Sequence, residues 1–363
     1  MTMLRAAPPA QRAFSLAVDA AALAHDRRGM GRLVRGAVTL FGRDSGVRLT
    51  LLADGRSART LAQEFPGLAV RPVAGAHRSG QYDVVWFPFN GMRFEPAAPA
   101  VVMMHDVFAF TAPHPERIAR FREQAPMRRA ARRAARIAVN SHWTRDEVVR
   151  QLRPARCEPV VIAPEPDAFF FPSPKDPPPP PLDALPYALL VGVREPRKNA
   201  RLAIAACARA LRDRETLVIV GQLSAHDREF ARRSGLRCGE ISASDRVLRA
   251  LYRHAALVLV PSLAEGFGLV AVEALACGAP VLASRATALP EATGGAALLL
   301  DPRDPDLWGR TIRTVLDEPQ RAEQLRARAR AHFACSDREA FARATLALLR
   351  ETASRALRDR RHQ

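Results

Sequence analysis

Residues 257–280 read LVLVPSLAEGFGLVAVEALACGAP, and this stretch decides the fold. The short apolar run ending at Pro261 and Ser262 reads as a strand buried on both faces of a parallel sheet. Glu265 then opens a turn made of Gly266, Phe267 and Gly268. A helix is predicted from Leu269 to the terminating Gly278. The two glycines let the backbone approach a ligand closely, and the helix N-terminus offers unpaired N–H groups to a phosphate. Glu265 and Glu273 are eight residues apart, one in the loop and the other two turns along the helix. Glu273 lies among Leu269-Val270-Ala271-Val272 and Ala274-Leu275-Ala276. A carboxylate in so apolar a helix is costly unless it meets hydroxyls or a cation.

Outward from this stretch, the strand-then-helix pattern recurs. Apolar runs at Phe14–Val18, Leu49–Leu52, Val84–Phe87, Val101–Met104 and Ile137–Asn140 predict strands in the first half. Tyr187–Val191, Thr216–Val220, Leu257–Pro261, Val281–Ser284 and Ala297–Leu300 predict them in the second. Alternation in both halves predicts an α/β protein of two open, Rossmann-like parallel sheets. Between them, Pro172-Ser173-Pro174-Lys175-Asp176 and Pro177–Pro181 suit neither helix nor inner strand, and predict an extended spacer. The expected division is 1–165, a linker over 166–184, a second domain over 185–335 and a helical segment over 336–363. Ligands of open parallel sheets bind beyond the carboxyl ends of the strands, so two such domains place a cleft between those ends.

Composition sets the remaining bounds. The chain has 363 residues, 48% of them hydrophobic, enough for two cores. No apolar run approaches the length of a membrane-spanning helix. Ala13–Ala24 reads as a first strand and loop rather than a signal peptide, because Asp19 interrupts it and no small-residue cleavage site follows. A cytoplasmic protein is expected. Cys157, Cys207, Cys238, Cys277 and Cys335 are scattered and form no metal or disulfide pattern. The net charge is +18, yet only Lys175 and Lys198 are lysines. No zinc-finger, basic-zipper or RNA-binding aromatic motif accompanies that charge, which argues against nucleic acid as a partner. An acidic substrate or an anionic membrane surface stays open.

The stretch from Glu265 is similar to the E-x7-E element of the family 4 glycosyltransferases, retaining enzymes of the GT-B fold. The resemblance implies that Glu265 faces the transferred sugar, that Glu273 holds the nucleotide ribose, and that Gly266, Phe267, Gly268 and Leu269 line the donor pocket. Gly192-Val193-Arg194-Glu195-Pro196-Arg197-Lys198-Asn199 resembles the family's G-x-x-x-P-R-K-N segment, which implies that Arg197 and Lys198 bind the diphosphate. Fixed cations there would stabilise the leaving group's growing charge. Gly239-Glu240-Ile241-Ser242 and Leu251-Tyr252-Arg253-His254-Ala255 resemble the segment whose loop, around Ile241, lies against the base; Tyr252 itself reads as a packed helix residue. SRATALPEATGGAALLLDP, residues 284–302, is similar to a run common in bacterial mannosyltransferases. Asp304-Pro305-Asp306 looks like a D-x-D metal motif, but its place before a helix predicts capping.

The first half matches in the same order. Asp19 followed by Gly29-Met30-Gly31-Arg32 resembles a loop whose backbone, at Gly29 and Gly31, approaches the donor phosphates. His105 and Asp106 resemble the family's H-D after a strand, with the histidine reaching the donor sugar from the acceptor domain. Arg136–Asp146 resembles a segment that places Asn140 or Ser141 in the cleft. The resemblance thus implies a GT-B hexosyltransferase of a mannosyltransferase-like bacterial group, with a GDP- or UDP-linked donor, a glycan or lipid-linked acceptor, retention, and no cofactor or metal. Its expected setting is cell-surface polysaccharide or glycolipid synthesis. A nucleotide-sugar epimerase and a non-catalytic basic membrane-surface protein on the same fold are the alternatives. Arginines 128, 129, 132, 133 and 136 cover one arc of a predicted helix, either as a solvated face or as a surface for anionic lipid, which would make the enzyme peripheral to the inner membrane face.

Overall fold

The computed structural model describes residues 13–171 and 186–361, except Ser79, 113–115 and Cys335. The proline run and Cys335 therefore lie outside the described residues. The first sheet contains β1 (Phe14–Asp19), β2 (Val47–Leu52), β3 (Ala69–Arg71), β4 (Val84–Phe87), β5 (Ala100–Met104), β6 (Arg136–Val139) and β7 (Val160–Val161), in the order β3-β2-β1-β4-β5-β6-β7. The second contains β8 (Tyr187–Val191), β9 (Thr216–Val220), β10 (Cys238–Ile241), β11 (Leu257–Val260), β12 (Val281–Ser284) and β13 (Leu298–Leu300), in the order β10-β9-β8-β11-β12-β13. Every pairing is parallel. The order reverses between β1 and β4 and again between β8 and β11, and these switch points open the crevices in which such sheets bind ligands.

Helices cover both faces of each sheet. Along β11, Leu257 and Leu259 point into one apolar layer while Val258 and Val260 point into the other. This two-sided burial is why the strand reads as an unbroken apolar run. The last helix, Ala340–Arg361, returns to the first sheet: Phe341, Leu346 and Leu349 join the layer that holds Phe41 and Trp86. Among the described residues, no helix is long and apolar enough to cross a membrane.

Candidate active site

The second sheet supplies charge at its switch point. After β8 the chain makes a short 3-10 turn, Pro196–Lys198, and Asn199 adopts a left-handed conformation (φ 56°). The Asn199 amide donates to the carbonyls of Pro261 and Pro302, both at 3.0 Å, tying this loop to the one that follows β11. That tie brings both cations onto Glu265. Lys198 Nζ lies 2.6 Å from Glu265 Oε1, and Arg197 Nη1 lies 2.9 Å from Oε2. Ser262 Oγ donates to Oε1 at 2.7 Å. Burial alone would raise this carboxyl, but Lys198 and Arg197 outweigh it and hold Glu265 below the usual carboxylate range. Sequence resemblance assigned Arg197 and Lys198 to a diphosphate; here both are bonded to the carboxylate.

The first sheet meets this loop directly. A Cβ built on Gly266 would stand 1.9 Å from the His105 carbonyl oxygen, so the space that its missing side chain provides is filled by the opposite domain. The Gly266 carbonyl accepts from Ser141 Oγ at 2.7 Å and Thr144 Oγ1 at 2.9 Å. Nearby, the Glu291 carboxylate accepts from the His142 amide at 2.9 and 3.0 Å, where a helix begins. His105 is buried, and its Nε2 lies 2.6 Å from the Pro88 carbonyl. A carbonyl only accepts, so Nε2 carries the proton and Nδ1 is left as an acceptor. Burial lowers the pKa of His105, keeping the ring neutral. Nδ1 and the Asn140 amide oxygen are both buried without a hydrogen-bond partner. Buried acceptors of this kind are uncommon in folded proteins, and two at one domain contact suit the hydroxyls of a bound ligand. Asn140 Nδ2 meanwhile donates to the His105 carbonyl at 2.9 Å. Asp106 is occupied locally: it accepts from the Phe108 amide at 3.0 Å and from Asn90 Nδ2 at 3.3 Å.

Glu273 is buried in the helix Leu269–Ala276, with Tyr252 Oη donating to Oε2 at 3.3 Å and Arg32 bonded to Oε1. Burial pushes its pKa up to about 7 against the opposing pull of Arg32. Gly29 lies against this group, since a Cβ there would come 3.0 Å from Leu269 Cδ1 and 3.3 Å from Glu273 Oε1. Gly31 has a different reason: a Cβ would stand 1.8 Å from the Asp26 carbonyl, so its own loop requires glycine. Gly268 (φ 111°) starts the helix in a conformation suited to glycine. Phe267 packs with Val272 and Ala292, and Ile241 ends β10 half-buried against the same domain's core.

Several residues here carry no role in the sequence reading. Arg32 and Tyr252 hold Glu273, Arg93 pairs with Asp19, and Glu291 reaches the opposite domain. Their partners are distant in sequence, and only the aromatic and charged residue types could have flagged them. Asp304 caps its helix by accepting from the Leu307 amide at 2.8 Å, as its setting predicts. The basic arc needs correction. The helix is Arg117–Arg133, and Arg136 already belongs to β6, because Ala134 turns the backbone extended. Arg129 donates to the carbonyls of Met92 and Arg93, and Arg133 lies 3.4 Å from Glu95. Arg128 and Arg132 are exposed, and so, further up the helix, are Ile118 and Phe121 at 70% and 67%.

Two Rossmann-like parallel-sheet domains that meet at the carboxyl ends of their strands form the GT-B architecture. Residues 186–318, little more than a third of the chain, match the family described as glycosyl transferases group 1. It is 32% identical over 229 residues to O-antigen chain mannosyltransferase B of Escherichia coli, an alignment that covers 57% of this chain and 58% of that protein. The chain thus spans little more than half the length of this curated relative. Among solved structures, WaaG, a glycosyltransferase involved in lipopolysaccharide biosynthesis, superposes with a TM-score of 0.71 at 16% identity, covering 93% of this chain and 99% of that one. Anabaena Alr3699/HepE in complex with UDP and glucose gives 0.69 at 19% identity, covering 93% and 100%.

Proposed function

We propose that the protein transfers a hexose from a nucleotide-diphosphate sugar, with retention, to a glycan or lipid-linked acceptor. The observation that carries this reading is the meeting of Lys198, Arg197 and Glu265 with His105 at the contact between the domains. In it, Glu265 and the neutral His105 orient the sugar through its hydroxyls, which can donate to His105 Nδ1 and the Asn140 amide oxygen. Glu273 accepts from the ribose. The sugar–phosphate C–O bond breaks and the acceptor oxygen bonds to the same face of the anomeric carbon. The acceptor proton passes to the departing phosphate oxygen. Arg197, Lys198 and the helix N-terminus at Gly268 stabilise the charge on that leaving group, so the reading calls on no resident metal.

The donor class is in keeping with the UDP bound by Anabaena HepE, and a mannosyl or related hexosyl donor with the Escherichia coli relative. A lipid-linked acceptor is favoured by one feature of the first domain. Ile118 and Phe121 lie one helical turn apart, exposed, with Arg117 and Arg122 beside them. β5, which ends at Met104 just before His105, leads through Phe108–Thr111 toward this helix, so a membrane held there would present its lipids beside the acceptor half of the cleft. Thermal-shift screening against GDP, UDP and their hexose conjugates tests the proposal. A donor at a hundredfold excess over its Kd should add about 2.7 kcal/mol of stability, and no response to any member would refute it.

A further inference from the structure

Arg32 stands in the first turn of the helix Gly29–Arg43, on the first domain, yet among the described residues both its ion-pair partners, Asp245 and Glu273, are on the second. Nη2 bonds to Glu273 Oε1 and Nη1 lies 2.9 Å from Asp245 Oδ1. The guanidinium stacks over the Phe170 ring at 4.7 Å, and the side chain is only 13% exposed. Its Nε is buried without a hydrogen-bond partner. Tyr252 approaches the other Glu273 oxygen from within the second domain's core. Arg32 approaches from across the cleft, the side from which a ligand must also come.

A ribose diol and the Arg32 fork therefore need the same oxygen. We propose that Arg32 is a specificity-determining residue exchanged between Glu273 and the donor diphosphate. This rests on the reading of Glu273 as the ribose carboxylate. Of its two carboxylate partners, a guanidinium displaced from Glu273 keeps the half-exposed Asp245, and a buried cation needs an anion in exchange. A nucleoside diphosphate supplies that anion, in a geometry that suits the planar fork. A bare nucleoside displaces Arg32 and offers nothing in return. The exchange thus penalises the nucleoside and accepts the diphosphate, adding discrimination at a residue that need not touch the transferred sugar.

The test is calorimetry, direct or by competition, with uridine, guanosine, UDP and GDP on wild type, Arg32→Ala, Arg32→Lys and Glu273→Gln. Measurements are made at alkaline pH so that Glu273 is ionised. Arg32→Ala should bind the cognate nucleoside on the order of threefold to tenfold more tightly, and its diphosphate about tenfold more weakly. Arg32→Lys should recover part of the diphosphate affinity, as a point charge without the fork. Equal weakening of both ligands by Arg32→Ala would mark a structural residue and overturn the proposal, as would no change in either. Glu273→Gln addresses the underlying reading separately: it should weaken nucleoside and diphosphate alike. Wild-type affinity for both in that variant would overturn the ribose assignment whatever Arg32 does.

Discussion

Lys198 Nζ and Glu265 Oε1 are 2.6 Å apart, so a cation from the loop after β8 and a carboxylate from the loop after β11 form one hydrogen-bonded unit. In the proposed reaction one serves the leaving diphosphate and the other the sugar. Replacing Lys198 with Ala should lower transfer by at least ~10²-fold at saturating donor, since a cation at the leaving group acts mainly in the transition state. Its pairing with a buried carboxylate adds a stability cost that its loop position alone does not suggest, on the order of 1–3 kcal/mol at neutral pH. Turnover assays and thermal unfolding separate the two effects. Near-normal turnover would remove Lys198 from the chemistry.

The closeness of Gly266 to His105 predicts a closure mutant. A methyl group at position 266 would meet the His105 carbonyl, and backbone cannot swing aside as a side chain can. Gly266→Ala should leave each domain folded but keep the halves of the site apart, cutting kcat about 10²-fold, a loss typical of a displacement near 1 Å. Small-angle scattering should show a more open molecule than wild type. Unchanged kcat and unchanged dimensions would mean that this contact plays no part in catalysis.

Glu273 predicts a pH dependence whose sign follows from its raised pKa. Burial favours the neutral acid, with Arg32 and Tyr252 opposing and Asp245 adding to the rise, so ionisation near pH about 7 opposes the fold. Its stabilising contribution is complete below the ordinary value of 4.5 and is lost as pH rises through about 7. The Tm of wild type should therefore fall relative to Glu273→Gln across that window. Affinity should move the other way, because an ionised carboxylate accepts better from ribose hydroxyls. Binding of the nucleotide sugar, whose phosphates do not titrate here, should strengthen as pH rises through about 7 and be flat in the variant.

The exposed pair on the Arg117–Arg133 helix predicts lipid binding. Flotation with liposomes of varied anionic content should show attachment that grows with anionic lipid and falls with salt. Ile118→Ser with Phe121→Ser should abolish it, since each apolar side chain inserted contributes about 1.5–3 kcal/mol. Arg128→Gln with Arg132→Gln should weaken it by about 1 kcal/mol per charge. Wild type that stays with the soluble fraction at low salt would rule the surface out.

The strands that sequence patterning located are those with apolar residues on both faces, such as β8, β9 and β11. The three it missed, β3, β7 and β10, are all edge strands. They are two to four residues long and only partly buried, as at Ala69, Val70 and Arg71, so what apolar pattern they have is too short to separate from a loop. Glu265, Glu273 and Lys198 were legible because each stands within a local pattern that its neighbours do not explain. Arg32 was legible as a neighbour of the glycine loop but not as a partner of Glu273, 241 residues away. In a chain so rich in arginine, residue type alone could not single it out. Gly266 illustrates the converse: the need for glycine was readable, but the atom it makes room for belongs to the other domain.

In the proposed function Glu265 and Glu273 divide one nucleotide sugar between them, and calorimetry tests this division. Wild type, Glu265→Gln and Glu273→Gln would each be titrated with GDP, UDP and the matching hexose conjugates. Wild type should bind one nucleotide series, and Glu273→Gln should weaken the bare diphosphate and the conjugate together. Glu265→Gln should leave the bare diphosphate nearly unchanged and weaken the conjugate. Binding of neither series by wild type, or equal losses on the bare diphosphate in the two variants, would contradict it.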